Sequence, residues 1–101
     1  MATQFDSFAE FYPFYLGEHS NAICRRLHVV GSGLVLVIVL LAIVQGNAWW
    51  LVLTPVVGYG FAWVGHFFFE KNRPATFSHP VYSFIGDWVM FKDVLTGKIS
   101  W

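Results

Sequence analysis

Two long apolar stretches dominate the hydropathy pattern of the chain. They cover residues 28–45 and 48–70, and the only charged residue within them is Glu70, at the end of the second stretch. A helix needs about 20 residues to cross the ~30 Å hydrocarbon core of a bilayer, so each stretch predicts a membrane-spanning helix. The residues between them, Gln45-Gly46-Asn47, have turn chemistry. The pattern therefore predicts an antiparallel helical hairpin.

Shorter amphipathic segments flank the hairpin. In residues 4–16 the aromatic side chains recur at helical spacing, with acidic residues on another face and Pro13 expected to kink or end the helix. Residues 80–93 are apolar but too short for a span and contain Asp87, which favours an interfacial or re-entrant helix. The predicted fold is an all-α integral membrane hairpin with these additional helices, in one domain over residues 1–101.

Composition and charge narrow the class of protein. Of the 101 residues, 56% are hydrophobic and only 12% are charged, which is outside the usual range of soluble proteins. The formal net charge is zero and basic residues are scattered, so no nucleic-acid surface is expected. No signal peptide is recognised at the amino terminus. Arg25 and Arg26 precede the hairpin and Lys71 and Arg73 follow it, which predicts cytoplasmic termini.

All four histidines of the chain lie next to the apolar stretches: His19, His28, His66 and His79. His28 and His66 are each nineteen residues from Asn47, so the hairpin brings them to the same depth. His19 and His79 lie just outside the same end, and convergence of imidazoles is what a shared metal ion requires. His19 and His28 would point to opposite sides of one continuous helix, so a break between them is predicted.

The second span contains two helical stripes of interest. Tyr59, Trp63, His66 and Glu70 share one stripe, on which Glu70 either reaches the same ion as His66 or orients a ligand. On a nearby stripe, a set of small residues would let the first span approach closely, and these are Gly58, Ala62 and Gly65.

Three parts of the sequence resemble the 2-hydroxy fatty acid dioxygenase family, whose fungal member acts in fatty acid α-oxidation. They are the run from Glu18 to Gly31 with Arg25-Arg26-Leu27-His28, the run Gly65-His66-Phe67-Phe68-Phe69-Glu70-Lys71-Asn72-Arg73-Pro74-Ala75-Thr76-Phe77, and Pro80 followed by Ser83 and Gly86-Asp87. The resemblance covers nearly the whole chain. It implies an Fe(II)-dependent enzyme that uses O₂ to shorten a 2-hydroxy fatty acid by one carbon.

The resemblance also implies roles for particular residues. The implied iron ligands are His19, His28, His66 and His79. Arg25, Arg26 and Arg73 are candidates to hold the substrate carboxylate, and together with Glu70 they are the predicted catalytic residues. Asn72, Asp87 and Tyr59 are candidates to support the ligands. Four histidines leave an octahedral iron two free positions, and a substrate that binds through two oxygens would fill both and leave none for O₂. Either His19 or His79, both in loops, is therefore the labile ligand, or the substrate binds through one oxygen.

Other hypotheses stay open at the level of sequence. His28 and His66 could instead bind haem as axial ligands from facing helices. A metal-free lipid-binding or scaffolding protein is the non-enzymatic alternative. The expected partners are membrane lipid and a 2-hydroxy fatty acid whose tail extends sideways into the bilayer, together with a possible homo-oligomer. The expected host is a bacterial inner membrane, or the endoplasmic reticulum for a eukaryotic protein.

Overall fold

The computed structural model describes residues 5–101, and within that range it contains helices joined by turns and loops and no strands, which confirms the all-α prediction. Four α-helices are present: α1 (Phe8–Gly17), α2 (Ala22–Gln45), α3 (Leu53–Val64) and α4 (Pro80–Leu95). A 3₁₀ helix (Ala48–Val52) precedes α3, a π-helical turn (Gly65–Glu70) follows it, and a second 3₁₀ turn (Ala75–Phe77) leads to α4. Residues 1–4 lie outside the described part. They include the first residue of the predicted segment 4–16 and the first four residues of the predicted domain 1–101.

The hairpin turn has the chemistry that the sequence indicates. Gly46 ends α2 in the left-handed conformation, with φ of 62°. The N–H groups of Gly46 and Asn47 both donate to the carbonyl of Ala42, a common helix-ending arrangement. The Asn47 side chain then accepts from the Trp49 N–H at 3.0 Å and starts the 3₁₀ helix. The antiparallel hairpin is thereby confirmed.

Two helical stretches, Ala22–Gln45 and Ala48–Glu70, are long and apolar enough to cross a membrane. The first begins six residues earlier than the predicted start at residue 28. Asn21 is the reason, because its side-chain oxygen accepts from the N–H groups of Ile23 and Cys24 at 2.9 and 3.1 Å. This cap starts the helix in a polar turn, whereas the predicted start was placed where the apolar residues begin.

Small residues let α2 and α3 pack closely, as predicted. Ala62 and Gly65 are buried. A Cβ atom built on Gly65 would lie 3.1–3.2 Å from the backbone of Cys24. On the other helix, Gly31 faces Phe61 so closely that a Cβ would lie 2.9 Å from the Phe61 Cβ, a contact that the sequence reasoning did not identify.

The aromatic residues of α1 form a core with α4. Phe11 and Tyr15 are fully buried with Met90, and Tyr12 donates a 2.8 Å hydrogen bond to Asp93. These rings face protein, so the face expected to lie in the membrane interface is largely covered. Pro13 lies inside α1 and does not end it.

Helix α4 is a continuous helix of 16 residues. It contacts both α1 and α2, and Pro80 occupies its first turn, where a missing N–H is tolerated. A re-entrant segment would need a break within this range, and none is present in α4. Of the two predicted forms, re-entrant and interfacial, the continuous helix therefore favours the interfacial one.

Candidate metal centre

Three of the four histidines meet where the α1–α2 loop touches the ends of the hairpin helices. His19 comes from the loop, His28 from the second turn of α2, and His66 from the π-helical turn after α3. One ring nitrogen from each of these histidines can be chosen so that the three atoms lie within 4.8 Å of one another. All three side chains are buried, with 1–4% of their surface exposed. The predicted break between His19 and His28 and the shared depth of His28 and His66 are confirmed.

Each of these imidazoles has its Nδ1 atom against an oxygen. His19 Nδ1 lies 2.7 Å from the carbonyl of Tyr15, and His28 Nδ1 lies 2.8 Å from the carbonyl of Cys24. His66 Nδ1 lies 2.7 Å from the side-chain oxygen of Asn72. Such oxygens only accept, so in a neutral imidazole the hydrogen resides on Nδ1 and the Nε2 atom keeps a lone pair. The cluster therefore presents three Nε2 lone pairs.

The Nε2 atoms of His19 and His28 are 3.1 Å apart. Two neutral Nε2 lone pairs at this distance cannot form a hydrogen bond with each other. Burial, and after it the neighbouring His28 ring, hold the pKa of His19 well below its usual value, which disfavours a proton there. A metal cation would satisfy the lone pairs without protonating an imidazole, so the donor set fits a divalent transition metal.

Asn72 fixes the orientation of His66. Its NH₂ group donates to the backbone oxygen and a carboxylate oxygen of Glu18, at 3.1 and 3.2 Å, which leaves its Oδ1 for His66. Its backbone N–H donates to the carbonyl of His66 at 3.0 Å. Lys71, between them, is in the left-handed conformation with φ of 60°, which allows the chain to turn back. The predicted supporting role of Asn72 matches this geometry.

The carboxylate of Glu70 is outside the group of converging donors and binds the α1–α2 loop instead. Its carboxylate accepts from the Ser20 hydroxyl at 2.7 Å and from the Asn21 N–H at 2.6 Å. The π-helical turn explains the difference from the predicted stripe, because a wider turn does not keep residues i and i+4 on one face. Glu70 therefore ties the loop of His19 to the end of the second apolar stretch.

The three arginines are also engaged elsewhere. Arg25 donates to the carbonyls of Ser100 and His19, at 2.9 and 3.0 Å. Arg26 stacks over the ring of Trp101, and Arg73 over the ring of Phe77. Among the described contacts, none joins these guanidinium groups to His28 or His66. The geometry gives Arg25 a role in holding the backbone of His19.

His79 lies in a different environment from the other histidines. It is the residue before α4, its Nδ1 lies 2.8 Å from the Ser78 hydroxyl, and its ring packs against Phe5, Phe11 and Phe14. In the part of the chain from residue 5 onward, the converging donor group contains His19, His28 and His66 without it.

Tyr15 and Asp87 support the cluster from the side of α4, a connection that sequence reasoning missed. The Tyr15 ring stacks on His19 with centroids 4.0 Å apart, and its hydroxyl donates to Asp87. Gly86 makes this possible, because a Cβ there would lie 2.9 Å from the Tyr15 ring. The adjacent pair Gly86-Asp87 was the available signal. Asp87, His28 and Tyr59 also line a groove of about 400 Å³.

The cluster disfavours the haem alternative. The rings of His28 and His66 have centroids 4.8 Å apart, and the His19 ring lies 4.4 and 4.5 Å from them. A porphyrin between His28 and His66 would have to occupy the space that His19 fills. Three imidazoles that converge on one point suit a single ion better.

The buried carboxyl of Asp87 predicts a pH effect on stability. Burial raises its pKa from 3.8 to about 6, and the Tyr15 hydrogen bond only partly opposes this. Between pH 3.8 and about 6, the Asp87 carboxyl is thus protonated in the folded state and ionised in the unfolded state. The stabilisation is complete below pH 3.8 and disappears as the pH rises through about 6. Relative to Asp87→Asn, wild type should lose on the order of 3 kcal/mol of unfolding free energy over this interval, measured by denaturant titration. Parallel pH profiles for the two proteins would contradict this.

Comparison with curated proteins gives no significant match, and comparison with solved structures gives none either. A family model does match, over residues 5–99, and its description is 2-hydroxy-palmitic acid dioxygenase Mpo1-like. The match includes the three buried histidines, Asn72 and Asp87, so the histidine cluster and these two supporting residues lie within it. The chain belongs to the Mpo1-like family.

Proposed function

We propose that this protein is a non-haem iron dioxygenase that shortens 2-hydroxy fatty acids by one carbon, using O₂ as co-substrate. The observation that carries the proposal is the convergence of three buried imidazoles whose Nδ1 atoms all face oxygens. The family description supplies the substrate class. The geometry favours a three-histidine centre over the four-histidine centre implied by the sequence resemblance.

We also propose that the two long apolar helices span a membrane. Their outer surfaces support this, because large apolar side chains are exposed along both helices, and these include Leu40, Ile43, Val44, Val56 and Phe68. In water such a continuous apolar surface would be unfavourable, whereas lipid tails solvate it. The basic residues flank the end of the hairpin that holds the histidines, which favours a cytoplasmic location for that end.

An Fe(II) ion held by His19, His28 and His66 would keep coordination positions free for a chelating 2-hydroxy carboxylate and for O₂. It would also supply the electrons needed to activate O₂. The chain's own contribution is to hold three neutral imidazoles in place. Tyr15 and Cys24 do so through their backbone carbonyls, and Asn72 through its side chain. The burial of the rings excludes water from the reacting groups.

Two acidic residues and Arg25 act as positioning residues in this proposal. Glu70 and Arg25 fix the loop that carries His19, one through Ser20 and Asn21 and the other through the His19 carbonyl. Asp87 fixes the Tyr15 ring that stacks on His19. Arg26 and Arg73 lie at the same end of the hairpin, where their charges favour the approach of a fatty acid carboxylate.

The contact between Asn72 and His66 gives the first test of this arrangement. In Asn72→Leu the His66 ring loses the acceptor that fixes its tautomer, and loss of such an outer partner typically lowers metal affinity 10–100-fold. Asn72→Asp keeps an acceptor at this position and should retain most of the affinity. Competition with a chelator of known iron affinity measures both. Equal affinities for Asn72→Leu and wild type would exclude the role of Asn72.

The function is tested with wild-type protein purified and loaded with Fe(II) under anaerobic conditions. On admission of O₂, the product from 2-hydroxypalmitate is expected to be the acid one carbon shorter, detected by mass spectrometry. Palmitate and 3-hydroxypalmitate serve as controls, since neither has a hydroxyl next to the carboxylate for chelation. Equal conversion of 3-hydroxypalmitate, or no conversion by protein that demonstrably holds iron, would overturn the proposal.

A further inference from the structure

A groove runs from the histidine cluster along the hairpin. On α2 it is lined by His28, Ser32, Val35 and Val39, which recur every three or four residues and so share one face. From His28 to Val39 the helix rises about 16 Å. The groove of about 400 Å³ is within the usual range for ligand sites. It is therefore long, narrow and joined to the metal centre at one end.

The polar character of the groove falls with distance from the histidines. Asp87 and Ser32 lie near His28, whereas the far end is formed by Val39, Leu51 and Pro55. The one hydroxyl at that end, on Thr54, donates to the Leu51 carbonyl at 2.8 Å and is thereby satisfied. A ligand that fits this lining has a polar head at the histidines and an apolar tail.

Helix α4 borders the groove only near the histidines, through Phe84, Asp87 and Trp88. Beyond them the walls are formed by α2, by α3 and, through Leu51, by the 3₁₀ helix, with Gly58 and Ala62 keeping the side of α3 shallow. The groove is consequently covered at the reacting end and more open towards the hairpin turn. A flexible chain could enter from the side and still be held along the helices.

We propose that this groove binds the acyl chain of the 2-hydroxy fatty acid, with the carboxyl end at His28 and the methyl end between Val39 and Leu51. The inference rests on the proposed function for the identity of the head group. It replaces the expectation that the tail extends sideways into the bilayer. It also makes Val39 and its neighbours the residues that determine the preferred chain length.

The test uses photoreactive 2-hydroxypalmitate carrying a diazirine either at the methyl end or near the carboxyl end. Iron-loaded wild-type protein in nanodiscs is irradiated without O₂, and the labelled residues are mapped by mass spectrometry. The methyl-end probe is expected to label residues 39–55 and the carboxyl-end probe residues 28–32 and 84–88, both displaced by excess unlabelled 2-hydroxypalmitate. Labels that are the same for both probes, or that resist displacement, would mean that lipid or detergent contact alone is observed and would overturn the proposal.

A matched pair of substitutions tests the length of the groove. Val39→Phe fills the far end, whereas Val37→Phe adds the same bulk at the same depth on another face of α2, where Val37 is 51% exposed. If the ring introduced by Val39→Phe displaces two methylene groups, kcat/KM for 2-hydroxypalmitate should fall about 15-fold, since each buried methylene contributes roughly fourfold. Shorter 2-hydroxy acids should be unaffected, and Val37→Phe should resemble wild type.

The outcomes separate this inference from the proposed function. Position-dependent, displaceable labelling in a protein that converts no 2-hydroxy acid would leave the groove assignment intact and remove the dioxygenase chemistry. If both phenylalanine variants reduce conversion equally at every chain length, the dioxygenase chemistry would stand and the groove assignment would fail. The labelling pattern does not require turnover, so each proposal can fail alone.

Discussion

Replacement of His66 by alanine is expected to abolish stable iron binding. His66 is one of three histidines whose ring nitrogens converge within 4.8 Å, and its removal leaves only two of these ligands. We expect the affinity to fall by more than the ~100-fold upper range seen when an outer partner is lost. Iron per chain is measured by elemental analysis after anaerobic loading and desalting, with circular dichroism to verify helical structure. Conversion of 2-hydroxypalmitate should disappear together with the iron.

The matched substitution is His79→Ala, which changes the same residue type in the same family match. His79 packs among the Phe5, Phe11 and Phe14 rings, outside the group of converging donors. A three-histidine centre predicts that His79→Ala retains iron. Loss of iron from His79→Ala to the same extent as from His66→Ala would establish a four-histidine centre instead. Iron retained in His66→Ala would remove the proposed site altogether.

Replacement of Gly65 by valine is the second change with a large expected effect. A Cβ at this position would lie 3.1 Å from the Cys24 Cα and 3.2 Å from its carbonyl oxygen. The backbone of α2 must move away, and overpacking of this kind typically costs about 1–3 kcal/mol. The same movement separates His28 from His66, so the iron affinity should fall as well. Thermal unfolding of the metal-free protein and chelator competition measure the two effects separately.

Gly60→Val is the control for that experiment. Gly60 lies in α3, which ends at the residue before Gly65, and a Cβ built on Gly60 has no neighbouring atom within 4 Å. It therefore reports the intrinsic effect of valine in a helix without the collision. Equal loss of stability and iron affinity in the two variants would show that the close approach at Gly65 does not organise the site.

The sequence by itself determined the helical hairpin, its turn and the pairing of His28 with His66. Hydrophobic periodicity and length specify these features because a span must be apolar over about 20 residues. The equal distances of the two histidines from Asn47 then fix their relative depth once the hairpin closes. The stripe of small residues on the second span also indicated where the helices touch. Residue type and spacing suffice for such local properties.

Only the tertiary structure decided which groups reach the histidines. Periodicity placed Glu70 beside His66, but the π-helical turn rotates its carboxylate towards Ser20 and Asn21. The stacking of Tyr15 on His19 joins α1 to the cluster through a contact with Asp87, 72 residues away in the chain. The separation of His79 from the other three depends likewise on how α1 and α4 pack. Helical spacing describes neighbours within one element, whereas these contacts depend on how loops and separate helices come together.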